Sequence, residues 1–119
     1  MDVKVYQFIN LDYLDMMSDG DIEMKKVMLD MLFEELPQEI SKMRTLTDAS
    51  DWNEMKAVSH KMKSTLSFVG CDDMTTSNSE IEGICKAGTE TEKVTTLLAV
   101  MEGKLDSVMT ELKMEYDRI

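Results

Sequence analysis

The 119-residue sequence is short of the residues that interrupt helices, with one proline and five glycines. Its single histidine and two cysteines, Cys71 and Cys85, cannot supply a set of zinc ligands, and we expect reduced cysteines that serve packing. No apolar run approaches the roughly 20 residues that a membrane helix needs, and the N-terminus lacks the features of a signal peptide. We therefore expect a cytoplasmic protein.

Acidic residues greatly outnumber basic ones, 24 against 13, for a net charge of −11. Such a surface repels the phosphate backbone of nucleic acids. The hydrophobic fraction of 43% and the charged fraction of 31% are typical of a folded globular chain. We predict one domain over residues 1–119, monomeric, that binds neither nucleic acid nor membranes.

Helix-forming residues dominate, and apolar residues recur with the 3.6-residue period of an amphipathic helix. The pattern predicts a short helix at about residues 11–17 and four longer ones at about 21–46, 52–69, 73–87 and 91–117. Short connections turn a chain back beside itself, which favours an all-α, antiparallel up-down-up-down four-helix bundle with a short additional N-terminal helix. An irregular helical array is the alternative.

Capping residues set the predicted helix ends. The Asn10 side chain can cap the first helix, Asp51 begins the third as part of a capping box, and Gly70 ends it in a left-handed conformation. Thr89 or Thr91 should open the last helix.

The second helix carries its predicted apolar stripe on both sides of Pro37, where we expect a kink. The inward residues of this stripe are predicted to be Ile22, Val27, Met28, Met31, Leu32, Ile40 and Met43.

His60 is the only histidine, so any imidazole chemistry in this chain must occur there. At about 100° per residue, the apolar stripe of the third helix centres near Met55, Met62 and Val69, and His60 points roughly the opposite way. The sequence therefore predicts a solvent-exposed ring.

The surroundings of His60 are basic in an acidic protein. No acid occurs in the seventeen residues between Glu54 and Asp72. The lysines of this stretch are Lys56, Lys61 and Lys63. Lys56 and Lys63 can share the helix surface of His60, since residues three or four apart are neighbours.

The segment His60-Lys61-Met62-Lys63-Ser64, with Gly70 closing the helix, resembles the signature of histidine-phosphotransfer (Hpt) domains. That signature is His, any residue, an apolar residue, Lys, then Gly or Ser. The likeness extends to Gly20-Asp21, Glu35-Leu36-Pro37 and Asp51-Trp52. Ser64 departs from the more frequent Gly, which narrows access to the ring slightly.

The resemblance implies a phosphocarrier of a two-component phosphorelay, not an autonomous kinase, that carries a phosphoryl group on His60 between the aspartates of receiver domains. Near pH 7 a neutral imidazole offers a lone pair to attack an acyl phosphate. Such transfer needs positioning and positive charge, which Lys63 can supply from one turn away and Lys56 from the other side. The partners would be receiver domains of response regulators and hybrid kinases. Mg²⁺ is expected in the receiver, and no cofactor is expected here.

A carboxylate could orient the ring from the neighbouring helix. His60 lies eleven residues before Cys71, the predicted centre of the turn, and Glu82 lies eleven after it. In the Hpt family a Gln or Glu at the matching place often accepts a hydrogen bond from the ring, and Lys86 is a further supporting candidate. A shift of one residue in the turn would instead make Glu82 an ordinary surface acid.

The thirteen methionines admit another function, that of a helical adaptor that only binds receiver or kinase domains. A calcium sensor is excluded, because Met24 occupies the position where an EF-hand loop needs glycine. An autonomous enzyme lacks support, because His60 has no Ser or Cys nucleophile with an orienting acid.

Overall fold

The computed structural model describes residues 6–119, and all regular secondary structure within this range is α-helical. Each helix lies within two residues of its predicted range, and the all-α class is confirmed. The five helices are α1 (Asp12–Ser18), α2 (Ile22–Asp48), α3 (Trp52–Val69), α4 (Asp72–Ala87) and α5 (Lys93–Arg118).

The four long helices form a closed bundle. α2 packs against α3 and α5, and α4 packs against the same two helices from the other side. The short α1 lies against α2 and α3. Leucine and methionine side chains supply most of the core. Many of the methionines therefore serve core packing. Fully buried examples are Leu29, Leu32, Leu36, Met43, Met55, Met62, Met74, Leu98 and Met101.

Side-chain caps and one glycine fix the ends of α3. The Asp51 carboxylate accepts a hydrogen bond from the backbone N–H of Glu54 at 3.2 Å, as predicted for the cap. The backbone N–H of Asp51 donates to the carbonyl oxygen of Leu46, so the reciprocal bond of a capping box is not formed. Gly70 ends the helix at a φ of +69°. A Cβ at Gly70 would also overlap the backbone of Asn10, so this position needs glycine for two reasons.

Two local predictions were wrong or incomplete. Thr89 and Thr91 do not open the last helix, which begins at Lys93 after a turn whose bonds are made by backbone groups. Asn10 accepts a hydrogen bond from the N–H of Asp12, although the residue at the cap position is Leu11. α2 continues through Pro37 to Asp48, and the kink at Pro37 stays a prediction.

The apolar stripe of α2 was placed partly on the wrong face. Ile22 and Val27 are exposed, whereas Leu29 and Leu36 are fully buried. The N-terminal part of α2 has apolar residues on two faces, and the packing partners decide which of these faces is covered.

A polar cluster centred on the buried Glu115 and Lys25 joins the N-terminal segment to α1, α2 and α5. The Glu115 carboxylate accepts hydrogen bonds from Tyr6, Lys25 and Arg118. Lys25 also pairs with Asp15 of α1 at 2.6 Å. We call these five residues the Glu115 cluster. Nearby, the backbone N–H groups of residues 7–9 all donate to the Glu111 carboxylate.

Candidate functional site

His60 lies on the solvent-facing side of α3, with 72% of its side chain exposed. Met55 and Met62, on the opposite face of α3, are fully buried. The apolar stripe therefore holds the helix against the bundle and turns the ring outward, as the periodicity predicts.

Glu82 of α4 connects His60 to Lys63. Its Oε2 lies 2.6 Å from Nδ1 of His60, and its Oε1 lies 2.6 Å from Nζ of Lys63. A hydrogen bond from Lys63 is the main reason that the pKa of Glu82 lies below its ordinary value, and a hydrogen bond from His60 adds to this effect against desolvation. Glu82 is therefore ionised near neutral pH.

This contact determines which ring nitrogen is available. An ionised carboxylate can only accept hydrogen bonds, so the proton of the neutral ring belongs on Nδ1. Nε2 then keeps its lone pair and faces away from Glu82. The arrangement presents one nucleophilic nitrogen on an exposed helix surface.

A buried pair of polar side chains sets the position of Glu82 relative to His60. The hydroxyl of Ser59 donates to Asn78, with Oδ1 at 2.9 Å and the carbonyl oxygen at 3.0 Å. The Asn78 amide donates to the carbonyl oxygen of Ser59 at 2.9 Å. Ser59 directly precedes His60, and Asn78 lies one turn before Glu82. These bonds therefore hold α3 and α4 in the register that brings the ring and the carboxylate together.

Two shallow depressions flank the ring. One, of about 390 Å³, lies between α3 and α4 and is lined by Lys56, Ala57, His60, Glu82 and Lys86. We call it the lysine groove.

The second depression, of about 270 Å³, extends towards α2. We call it the apolar groove, because Met31 and Phe68 contribute to its wall. Its full lining is Met31, Glu35, His60, Lys61, Ser64, Thr65 and Phe68.

The basic residues around His60 differ in their partners. Lys63 pairs with Glu82, and Lys61 pairs with Glu39 of α2 at 3.2 Å. Among residues 6–119, no ion pair forms with Lys56 or Lys86, although both line the lysine groove beside the ring. The charges without a partner are thus on one side of His60.

The structure gathers the candidate residues from the sequence around one ring. Glu82 and Lys63 lie in direct contact, Lys56 and Lys86 share the lysine groove, and Ser64 is exposed in the apolar groove. Their roles in transfer stay predictions. Sequence reasoning missed the Ser59–Asn78 pair, although an asparagine on a predicted buried stripe is a signal that its amide needs a partner.

No group of three or more His, Cys, Asp or Glu side chains is placed to hold a metal ion in residues 6–119. Over the same range, no helix is long and apolar enough to cross a membrane.

Residues 27–119 match the family model of the Hpt domain, which covers more than half of the chain. The chain belongs to the Hpt domain family. No curated protein and no solved structure was found to match it. Hpt domains are helical phosphocarriers, not kinases, and they interact with receiver domains in two-component phosphorelays. The residues before 27, which include α1, lie outside the match.

Proposed function

We propose that this Hpt domain carries a phosphoryl group on Nε2 of His60 and exchanges it with the aspartates of receiver domains. The observation that supports this is the exposed ring, bound at Nδ1 by Glu82 and open at Nε2. The Nε2 lone pair attacks the phosphorus of an aspartyl phosphate, a P–N bond forms, and the P–O bond breaks to release the aspartate carboxylate. The reverse reaction delivers the group to another receiver.

Three neighbours would assist this transfer. Glu82 keeps the proton on Nδ1 and stabilises the positive charge that develops on the ring as the P–N bond forms. Lys63 supplies positive charge close to the ring through its contact with Glu82. Ser64 is small enough to leave the approach to the ring open. The Mg²⁺ that balances the charge of the aspartyl phosphate would belong to the receiver, in a cytoplasmic phosphorelay.

An apolar surface that begins at the apolar groove supports a receiver as the docking partner. Phe68 of this groove contacts the ring of Tyr13 on α1, with ring centroids 5.3 Å apart. Further exposed apolar side chains lie on α1 and α2. They are Met16, Met17, Met24 and Val27. A receiver seated here would reach His60 from the side of α2. We also propose that neighbouring helices of the four-helix bundle run antiparallel.

The test is transfer from a purified receiver domain carrying a labelled aspartyl phosphate. Wild-type protein should become labelled, and His60→Gln should not, with the helical circular dichroism spectrum unchanged in the variant. The label should be lost in acid and kept in alkali, as expected for a phosphoramidate. Labelling of the Gln variant would overturn the assignment to His60.

A helical adaptor that binds without carrying phosphate is the second candidate, favoured by the exposed methionines of α1 and α2. The same experiment separates the two functions. An adaptor would bind the receivers of its pathway and stay unlabelled, whereas a carrier takes up phosphate and returns it.

A further inference from the structure

The carboxylate of Glu111 on α5 binds the main chain of the N-terminal segment. It accepts hydrogen bonds from three consecutive backbone N–H groups, those of Gln7 at 2.9 Å, Phe8 at 2.7 Å and Ile9 at 3.1 Å. Hydrogen bonds to a carboxylate are roughly twice as strong as those between neutral groups. One side chain of α5 therefore fixes the path of this segment. We call residues 6–11 the N-terminal strap.

The other end of the strap is fixed to α3. The backbone N–H of Asn10 donates to the carbonyl oxygen of Val69, the last residue of that helix, at 3.1 Å. Gly70 follows, and its lack of a side chain lets the backbone of Asn10 approach closely. The strap thus runs from α5 to the C-terminal end of α3 and leads directly into α1.

α1 depends on this attachment. It has only seven residues, and a helix of that length is not stable on its own in water. Leu14 anchors its inner face in the core, whereas Tyr13, Met16 and Met17 are exposed. The strap and these core contacts together determine how much of the protein has α1 docked on α2 and α3.

α1 is connected to the site through Phe68. The ring centroids of Tyr13 and Phe68 are 5.3 Å apart, and Phe68 lines the apolar groove together with His60. The docked α1 therefore extends the apolar wall of this groove with its own exposed side chains. An α1 that leaves the bundle would remove this part of the surface.

We propose that Glu111 is a positioning residue for the receiver, because through the strap it holds α1 where its exposed apolar side chains complete the docking surface beside His60. The inference rests on the proposed function and adds a residue of α5 that controls how tightly the receiver binds. Its three bonds hold the strap, so their loss should lower the receiver affinity and leave the reaction at Nε2 of His60 unchanged. A receiver that binds only the docked form loses affinity in proportion to the fraction of the protein in that form.

The experiment is single-turnover transfer from increasing concentrations of one phosphorylated receiver to wild type, Glu111→Gln and Glu111→Ala. It gives the maximal rate and the receiver concentration at half of that rate. We expect the half-maximal concentration to rise about fivefold for Glu111→Ala, as it does when about a fifth of the protein has α1 docked. The rise should be smaller for Glu111→Gln, which keeps one acceptor oxygen. The maximal rate should stay at the wild-type value, and so should the rate of labelling with phosphoramidate, which needs no receiver.

Asp106→Ala is the matched control, since it removes another acidic side chain from the surface of α5 and should leave the half-maximal concentration unchanged. A variant with Met16→Ala and Met17→Ala tests the route from Glu111 to the receiver, because it shortens two exposed side chains of α1. If the strap acts through α1, Glu111→Ala should raise the half-maximal concentration less in this variant than in wild type. Effects that simply multiply would overturn the positioning role.

All variants are compared at a temperature where circular dichroism shows a folded bundle. If wild type takes up phosphate from the receiver and Glu111→Ala has the wild-type half-maximal concentration, Glu111 is not a positioning residue, and the proposed function stands. The same conclusion follows if Glu111→Ala slows labelling by phosphoramidate as much as transfer from the receiver. If wild type takes up no phosphate from the receiver, both proposals are overturned.

Discussion

Glu82 and Glu115 each bind more than one cationic or donor group, but their surroundings differ. Glu115 has 3% of its side chain exposed and accepts hydrogen bonds from Lys25, Arg118 and Tyr6. Glu82 has 16% exposed and binds His60 and Lys63, whose side chains are 72% and 50% exposed. Glu115 and Lys25 form the buried centre of a cluster whose outer members, Arg118 and Asp15, are 46% and 53% exposed, whereas both partners of Glu82 lie at the surface.

This difference in exposure indicates a structural role for Glu115 and a functional role for Glu82. In the Glu115 cluster every charge is used to join the N-terminal segment, α1, α2 and α5, so a change there should affect folding. At Glu82 the partners reach solvent, where water replaces a lost contact, so a change there should affect chemistry more than stability.

The largest effect is expected from Glu115→Ala. Removing this carboxylate leaves the buried Lys25 with Asp15 as its remaining ion-pair partner, whose side chain is 53% exposed. Breaking a buried ion pair costs up to about 3–5 kcal/mol of unfolding free energy. Denaturant unfolding should show that loss. Glu82→Ala is the matched control, expected to cost less than about 1 kcal/mol because its partners are exposed. Equal losses in the two variants would contradict the comparison.

The unfolding free energy should depend on pH because Glu115 becomes protonated at low pH. Burial alone would raise its pKa, but hydrogen bonds from Arg118, Lys25 and Tyr6 outweigh burial and lower it to about 2. Because the folded pKa lies below the ordinary value of 4.5, ionised Glu115 contributes its stability above that value and loses it as the pH falls towards 2.

The measurement is the difference in unfolding free energy between wild type and Glu115→Gln at several pH values. The difference should be constant from pH 6 to about pH 5 and shrink at lower pH. A difference that does not depend on pH would show that the carboxylate charge is not what stabilises the cluster.

Ser59→Ala should have an intermediate effect. It removes the hydroxyl that donates to Asn78 and leaves a buried carbonyl and amide oxygen without that donor, at a cost of about 1–3 kcal/mol. We also expect slower phosphotransfer, because the register between His60 and Glu82 loosens. Thermal unfolding and single-turnover transfer at a temperature where the variant is fully folded separate the two effects. An unchanged rate in the folded variant would limit the pair to a structural role.

The sequence alone predicted where the helices lie and that the His60 side chain is exposed. Apolar periodicity placed α3 correctly and turned His60 outward, because α3 has one apolar face and polar residues on the other. The equal spacing of His60 and Glu82 about Cys71 indicated that they could meet. These features depend on residues close together in the chain.

Features that depend on distant residues could not be predicted. The Glu115 cluster joins residues about 100 positions apart, and no local pattern connects Tyr6 to Glu115. The presence of Ile22 and Val27 on the surface also depends on which helix faces are covered. The pairing of Lys63 with Glu82, and the lack of such a pair for Lys56, required the packed structure.

Ser64→Leu should reduce transfer by about tenfold or more without unfolding the protein. The leucine side chain would fill part of the apolar groove beside the ring, where an incoming receiver must approach in line. Ser67→Leu is a suitable control, since it adds the same bulk to an exposed position three residues away. If the Ser64 variant transfers at the wild-type rate with an unchanged circular dichroism spectrum, the approach path is wrong.

The smallest effect is expected from Lys63→Ala, a few-fold slower transfer with stability changed by less than about 0.5 kcal/mol. The charge near the ring is lost, but water screens it because half of the side chain is exposed. Lys63→Arg should recover part of the rate, since it keeps the charge with a different reach. Single-turnover transfer rates at two salt concentrations test this prediction. Equal rates for Lys63→Ala and wild type would show that Lys63 has no role in transfer.

The central claim is that Glu82 keeps the proton on Nδ1 so that Nε2 of His60 carries the phosphoryl group. With one histidine in the chain, nitrogen-15 NMR of histidine-labelled protein gives a single set of ring signals before and after phosphorylation. We predict a proton on Nδ1 in the neutral free ring and a phosphorus coupling at Nε2 in the phosphorylated form. A phosphoryl group on Nδ1, or on any residue other than His60, would contradict the account.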